Sequence, residues 1–387
     1  MIMNRIPSEE LERRTTPRAD DIRGCYYRDQ TAILHSKPFR RMKHKTQVFF
    51  SPNDDHICTR IEHVLHVATI AATICRGLNS KGEGWQLNED LAYAISLGHD
   101  LGHTPFGHSG EKAIANLLGG RDKFMHEVNS YRVVEKLIDG GRGLNLTYAV
   151  KDGIICHNGE KYEQFITPDP VVKDLDAIRT RNFLPSTYEG AIVRFSDKIA
   201  YLGRDIEDAM VAGFIGSNDI PQRIRDRIGD TNSNIINFLV NDVVECSTEE
   251  AIAVSDEAFD MMLELIKFNS KRIYEHPRLK EVEAACENII VSLFQYLYKM
   301  YGSFDMGTGE YDGIPRRTLE TYFVDYMKTM RPFYLEEAKN NGLSSEDTGK
   351  QIVTDYLSGM TDRFAIDCMH EITIPQPIFF RHGKGTF

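Results

Sequence analysis

Between Tyr188 and Met210 the apolar residues Ile192, Phe195, Ile199, Leu202, Ile206 and Ala209 recur at spacings of 3, 4, 3, 4 and 3. Only an α-helix puts such a series on one face, because its period is 3.6 residues. Similar spacing runs from about Arg60 to Leu78, through Ile61, Val64, Leu65, Ala68, Ile70, Ala71 and Ile74. Asn88 followed by Glu89 and Asp90 reads as a helix start, with acids against the positive end of the dipole. That helix is expected to run to about Asp100 and end near Gly102. Another is expected to restart around Ser109, and one from about His126 to Ile138 stops at Gly140-Gly141. Helical segments continue from about Ile220 to Leu357, broken at Ser255, Pro277, Gly302 to Pro315 and Gly342. The one extended candidate, Ile372 to Phe380, carries Pro375 and Pro377 and suits a tail. The fold class expected is all-α.

At 387 residues the chain can bury a large core, as two domains or one large helical unit. We divide it into an N-terminal arm (1–24), a core (25–215) and a helical C-terminal region packed on that core (216–387). No linker-like stretch marks the second boundary. A net charge of -11 argues against wholesale coating of nucleic acid, yet Lys37, Arg40, Arg41, Lys43 and Lys45 form a basic run without an acid among them. Such a run is either a solvated helix face or a local attraction for polyphosphate or single-stranded nucleic acid. The seven cysteines are scattered, with no C-x-x-C pair, which reads as reduced thiols in a cytoplasmic protein. No signal-peptide pattern is expected from Met1 to Glu10. The longest apolar run, Val64 to Cys75, is too short to span a bilayer.

The chemistry concentrates in three places: Arg60-Ile61-Glu62-His63, His99-Asp100-Leu101-Gly102-His103, and Ser196-Asp197-Lys198. Nine of the thirteen histidines fall between His35 and His126, a clustering that packing alone does not require. Each residue alone has an ordinary reading. His63 on an apolar helix is a satisfied core histidine, and Asp197, Tyr201, Arg204, Asp205 and Asp208 are a solvated polar row. Together, two imidazoles and two carboxylates make a mixed nitrogen and oxygen site. That site suits Mn, Fe, Co or Mg better than structural zinc. Such an ion activates water and polarises a phosphoryl oxygen. His103, His108 and His126, near Glu111 and Glu127, are candidates for the acid a leaving group needs. Arg60 and Lys198 would neutralise phosphate.

Several stretches resemble the HD-superfamily dGTP triphosphohydrolases and, more distantly, the dNTP triphosphohydrolases that carry an appended SAM domain. They are the run from His35 to Phe49, Thr59 to His63, His99 to Glu111, Phe124 to Glu127, Asp197 to Asp208, and Gly359 to Ala365. The resemblance covers nearly everything from Cys25 to Ala365. It implies His63, His99, Asp100 and Asp197 as ligands of one divalent ion, with a further Mg²⁺ arriving on the nucleotide. It implies catalytic roles for His108, Glu111 and His126, with His103 at the phosphate side and Arg60 and Lys198 on phosphate. It places Gln47, Tyr201 and Asp205 around a deoxyribose, where Tyr201 would crowd a 2′-hydroxyl. The reaction implied is attack at the α-phosphorus of a dNTP, dGTP first, releasing deoxynucleoside and tripolyphosphate. A homo-oligomer and a second, activating nucleotide are further expectations from the same source. Two other readings stand beside it. One is an HD phosphodiesterase or 5′-nucleotidase, which would not need the Gln47, Tyr201 and Asp205 set. The other is a nucleotide sensor or single-strand binder with a vestigial site. For the rest, His66 is expected in the core or beside His63; His157, His276 and His370 as structural; Trp85 in a surface loop; and Gly307 to Gly313 as a flexible connector.

Overall fold

The computed structural model describes residues 2–50, 56–158 and 162–375. Helices dominate it. The N-terminal third holds α1 (Ser8–Leu11), α2 (Cys25–Leu34), α3 (Lys37–Arg41) and α4 (Arg60–Ser80). Then follow α5 (Glu89–Gly98), α6 (Gly107–Leu117), α7 (His126–Arg132), α8 (Tyr148–Ile155) and α9 (Tyr188–Val211). The remainder is α10 (Gln222–Arg227), α11 (Asn232–Cys246), α12 (Asp256–Asn269), α13 (Pro277–Tyr301), α14 (Thr318–Asn341), α15 (Ser345–Ser358) and α16 (Asp362–Thr373). A two-residue antiparallel pair, β1 (Phe165–Ile166) with β2 (Ile252–Ala253), is the only sheet among the described residues. The fold class is therefore all-α, and no described helix is long and apolar enough to cross a membrane.

The central helix is α4. Thr59 and Glu62 form a reciprocal cap at its start, and Val64, Val67, Ala68, Ile70, Ala71, Ile74 and Leu78 are buried along it. Apolar residues on more than one stripe mean burial on several sides. Accordingly α5, α9 and α11 all pack on it. Asn88 caps α5 as its sequence suggests, with its side chain accepting from the Leu91 N–H. The helix ends at Gly98, so His99 and Asp100 stand at its C-terminus, and the chain then passes so close to α7 that Gly102 has no room for a Cβ. Beyond α7 a π-turn over Val133–Leu137 absorbs the last part of the expected helix.

The apolar interior has two clusters. One draws on residues from Ile6 to Leu279. The other joins Phe106, Ile114 and Phe124 to α13, α14, α15 and α16. Helix α6, inside the segment that carries the histidine motifs, thus packs with the C-terminal helices. Asp362 fixes that junction. Its carboxylate accepts from the Phe106 N–H at 2.9 Å, the Thr46 N–H at 2.8 Å and the Thr46 hydroxyl at 2.5 Å. Phe106 needs the help, since at φ 62° it sits in the left-handed region that a bulky side chain rarely adopts. Asp362→Ala should strand two backbone donors, costing about 1–3 kcal/mol each. The expected result is a lower denaturation midpoint at unchanged m-value. An unshifted midpoint would show that the brace contributes nothing.

Four expectations are corrected here. Trp85 is buried and edge-on to Tyr188 at 5.3 Å, because the Gly82 and Gly84 turns fold it inward. The 307–313 loop is pinned, with Arg331 donating to the Met306 and Gly307 carbonyls. Ile372 and Thr373 belong to α16, and residues 376–380 of the expected extended tail lie outside the described residues. The basic run does not share one face. Lys37, Arg40 and Lys43 are exposed, but Arg41 is half-buried and Lys45 is buried. Lys45 donates to the His103 and Ser358 carbonyls, and burial together with Arg41 pushes its ammonium down to about 7.

Candidate functional site

Helices α4, α5 and α9 meet where their polar residues face each other. His63 comes from the first turn of α4, His99 and Asp100 from the end of α5, and Asp197 from the middle of α9. His63 Nε2 lies 2.9 Å from Asp197 Oδ1, and His99 Nε2 lies 3.5 Å from Asp100 Oδ1 and 3.8 Å from Asp197 Oδ1. The His99 tautomer is fixed from behind. Its Nδ1 is 2.6 Å from the Ser96 carbonyl, which can only accept, so Nδ1 carries the hydrogen. Nε2 then presents a lone pair toward two carboxylates, fully buried and with no hydrogen-bond partner. A lone pair set against anions is unfavourable unless a cation stands between them. That orphaned nitrogen, backed by a carbonyl as metal-bound histidines are, fits a divalent ion. His63, His99 and Asp197 already lie within one coordination reach, and Asp100 adjoins them.

Both carboxylates stay ionised. Burial works against the charge of Asp100, but His99, His103 and Arg60 hold it well below the ordinary range. Burial likewise opposes Asp197, and the His63 hydrogen bond lowers it. Arg60 is committed here, because its Nη1 donates to Asp100 Oδ2 and its Nη2 to the Thr46 carbonyl. The sequence reading set Arg60 on phosphate; in this structure it first compensates Asp100.

A pocket of about 320 Å³ opens over these residues. Arg60, His63, Asp100 and Asp197 line it, together with Gln47, Tyr201 and Asp205. Asp197, Tyr201 and Asp205 of the α9 polar row therefore face a pocket, whereas Arg204 pairs with Glu207 and Asp208 accepts from the Cys58 N–H. Tyr201 bonds Tyr162 at 2.5 Å, and the Tyr274 hydroxyl donates to Asp205. Burial raises the Asp205 carboxyl to about 7, against that hydrogen bond. Gln47 Oε1 is buried without a partner, an acceptor available to a ligand hydroxyl. Lys198 is fully buried and does not line the pocket; its ammonium lies 5.6 Å from the Tyr162 ring. Tyr274, Leu279 and Glu283 complete the lining from the C-terminal half, and no motif singled them out.

The lining is also rich in histidine. His103 stacks on His126 at 3.9 Å, and its Nε2 is 3.3 Å from Asp100 Oδ1. Burial and Arg60 keep His103 well below its usual value, hence neutral. His126 Nδ1 lies 2.9 Å from Glu111 Oε2, and its Nε2 lies 3.3 Å from His157 Nε2. Burial alone would lower His126, but Glu127 and Glu111 win and raise it to about 9. His157, expected to be structural, does not line the pocket but backs His126. Its Nδ1 meets the Ile154 carbonyl at 2.6 Å, and burial beside His99 and His126 lowers it to about 4. His157 is thus the neutral acceptor for His126. Both ring nitrogens of His126 are engaged. His108 differs: its side chain is 66% exposed, it lines the pocket, and its Nδ1 is 3.7 Å from Glu111 Oε2.

The HD domain family matches residues 60–181, which contain His63, His99 and Asp100, and the phosphohydrolase-associated domain family matches residues 316–371, which contain Asp362. A protein of Caldanaerobacter subterraneus subsp. tengcongensis named "Deoxyguanosinetriphosphate triphosphohydrolase-like protein" is 37% identical over 361 residues, covering 93% of this chain and 88% of its own. Proteins of the same name from Desulfatibacillum aliphaticivorans and Clostridium tetani are 35% and 34% identical. They cover 96% and 93% of this chain, and 94% and 89% of their own lengths.

Proposed function

This chain belongs to the HD-domain family of deoxyguanosinetriphosphate triphosphohydrolase-like proteins, and on that premise we propose that it hydrolyses a dNTP, dGTP first, at the α-phosphorus. The observation that carries the reading is the His99 lone pair held against two carboxylates, in a pocket that also presents Gln47, Tyr201 and Asp205. A divalent ion held by His63, His99, Asp100 and Asp197 would supply an activated water and polarise a phosphoryl oxygen. The α-phosphorus gains the water oxygen, its bond to the 5′-oxygen breaks, and tripolyphosphate leaves the deoxynucleoside. His108 donates the proton to the departing 5′-oxygen, because it lines the pocket while both nitrogens of His126 are engaged. Glu111 orients that imidazole. His126 stays a cation facing the triphosphate, where fixed positive charge is worth most as charge develops. Arg60, at the pocket surface, and the buried Lys198 add positive charge.

Discrimination follows from the same lining. Gln47 and Asp205 bond the sugar 3′-hydroxyl, and the Tyr201 ring, held by Tyr162, occupies the space a 2′-hydroxyl would need. Tyr201→Ala is expected to raise turnover of GTP relative to dGTP by tenfold or more, since steric rejection of this size is worth about 1–3 kcal/mol. An unchanged ratio would remove Tyr201 from that role. The direct test of the reaction is product analysis with Mn²⁺ or Mg²⁺ and each dNTP, alone and in mixtures. Deoxynucleoside and tripolyphosphate are expected. Free phosphate with dNDP, or no turnover, would sink the reading.

A further inference from the structure

His126 lies among several charged and titratable groups: His108 and Glu111 on α6, His103 just before that helix, Glu127 on its own helix, His157 after α8, and Asp100 beyond His103. Two carboxylates this close would repel each other, and one would turn away or take a proton. His126 offsets the charge of both, and Arg181 bridges them. Its Nε donates to Glu127 Oε1 at 2.8 Å, and its Nη2 donates to Glu111 Oε1 at 2.8 Å and Glu127 Oε2 at 3.2 Å. Its own backbone is tied down too, since the Arg181 carbonyl accepts from Asn158 Nδ2 at 2.7 Å. Glu111 and Glu127 are nearly fully buried, and Arg181 retains 19% exposure. A planar guanidinium can span two carboxylates in this way, whereas an ammonium is a point charge.

We propose that Arg181 is a positioning residue for the acid–base wall. By bridging Glu111 and Glu127 it keeps both carboxylates aimed. Glu111 Oε2 is then free to hold His126 on one side and His108 on the other. Arg181 touches no substrate; it acts through Glu111. This inference rests on the reaction and on the role of His108 given above.

The test uses the full-length protein with two variants. Arg181→Met keeps most of the aliphatic volume but removes the bridge. Arg181→Lys keeps the charge but cannot span both acids. Two readouts are taken. The first is the downfield imidazole N–H proton of His126, assigned by its loss in His126→Gln and recorded without nucleotide. The second is kcat and KM for dGTP, with bound metal quantified. Expected for Arg181→Met are loss of the N–H resonance, a kcat about 10- to 100-fold lower, as for outer-shell hydrogen bonds elsewhere, and KM within about twofold. Arg181→Lys should keep a shifted resonance and lose about tenfold in kcat, and it carries the test if Arg181→Met does not fold. An unaltered resonance overturns the bridge, whatever the rate. A loss of activity arising wholly from metal loss or KM overturns the positioning role. A lost resonance with wild-type kcat leaves the bridge standing and overturns the catalytic assignment of the wall on which the inference rests.

Discussion

Asp197→Ala is expected to leave a folded protein that neither turns over substrate nor retains a divalent ion. The reason lies in the charge balance of the site. Asp100 is already compensated, because Arg60 donates to its outer oxygen. Asp197 has no arginine or lysine within salt-bridge distance among the ion pairs of the described residues, only the His63 and His99 imidazoles. It therefore supplies most of the net negative charge that would hold a cation there. Outer-shell partners of metal ligands cost about 10- to 100-fold when removed, so loss of a ligand carboxylate should exceed that. Asp197→Asn, which keeps the shape and removes the charge, should fail equally. The measurement is steady-state rate beside metal content after dialysis. A variant that holds its ion and its rate would mean that the site is elsewhere.

His108→Ala should slow the reaction by about 10²- to 10⁴-fold, the usual contribution of a positioned general acid. Its side chain is 66% exposed, so the substitution should change stability by no more than about 0.5 kcal/mol. That separates chemistry from folding, which a buried histidine would not allow. Thermal melts read alongside kcat make the comparison. A rate within threefold of wild type would pass the acid role to another group. His126 gives the companion prediction in pH. Glu127 and Glu111 raise it to about 9, so it is charged below that value and neutral above it. As a fixed cation facing a triphosphate, it should let kcat/KM hold up to about pH 9 and fall as pH rises through that value. In His126→Gln the fall near pH 9 should be absent. A limb that persists in that variant would belong to another group.

Much of this was legible in the sequence, for a physical reason. Helical periodicity reports which face is apolar, and the segments around Arg60 and Tyr188 carry it clearly. The polar row of α9 shows where that reading stops. A row that lines a pocket and a row that faces water have the same period, so Asp197, Tyr201 and Asp205 acquire meaning only when α4 and α5 are set against them. His157 and Arg181 gave no signal at all. Neither belongs to a motif, and their significance depends on distances to His126 and Glu111 that no spacing encodes. Lys45 misled in the opposite sense. Beside Lys43 it looks like surface charge, yet a long aliphatic stem lets it reach two carbonyls inside the protein. Buried ionisable groups are where sequence pattern is weakest, because the partner that makes their burial tolerable is usually far along the chain.

The Asp362 brace has a bearing on the timing of synthesis. Its two anchoring points lie 316 and 256 residues earlier in the chain, at Thr46 and Phe106. Translation proceeds at roughly 5–20 residues per second, so residues 46 and 106 leave the ribosome about ten seconds or more before residue 362 does. Once residue 283 has been made the nascent polypeptide carries every histidine and carboxylate of the pocket, but the turn into α6, with His103 before it and His108 at its start, still has no C-terminal anchor. The brace closes only when α16, the last of the described helices, is made. A chain released before residue 362 holds His63, His99, Asp100 and Asp197 without that turn's final support.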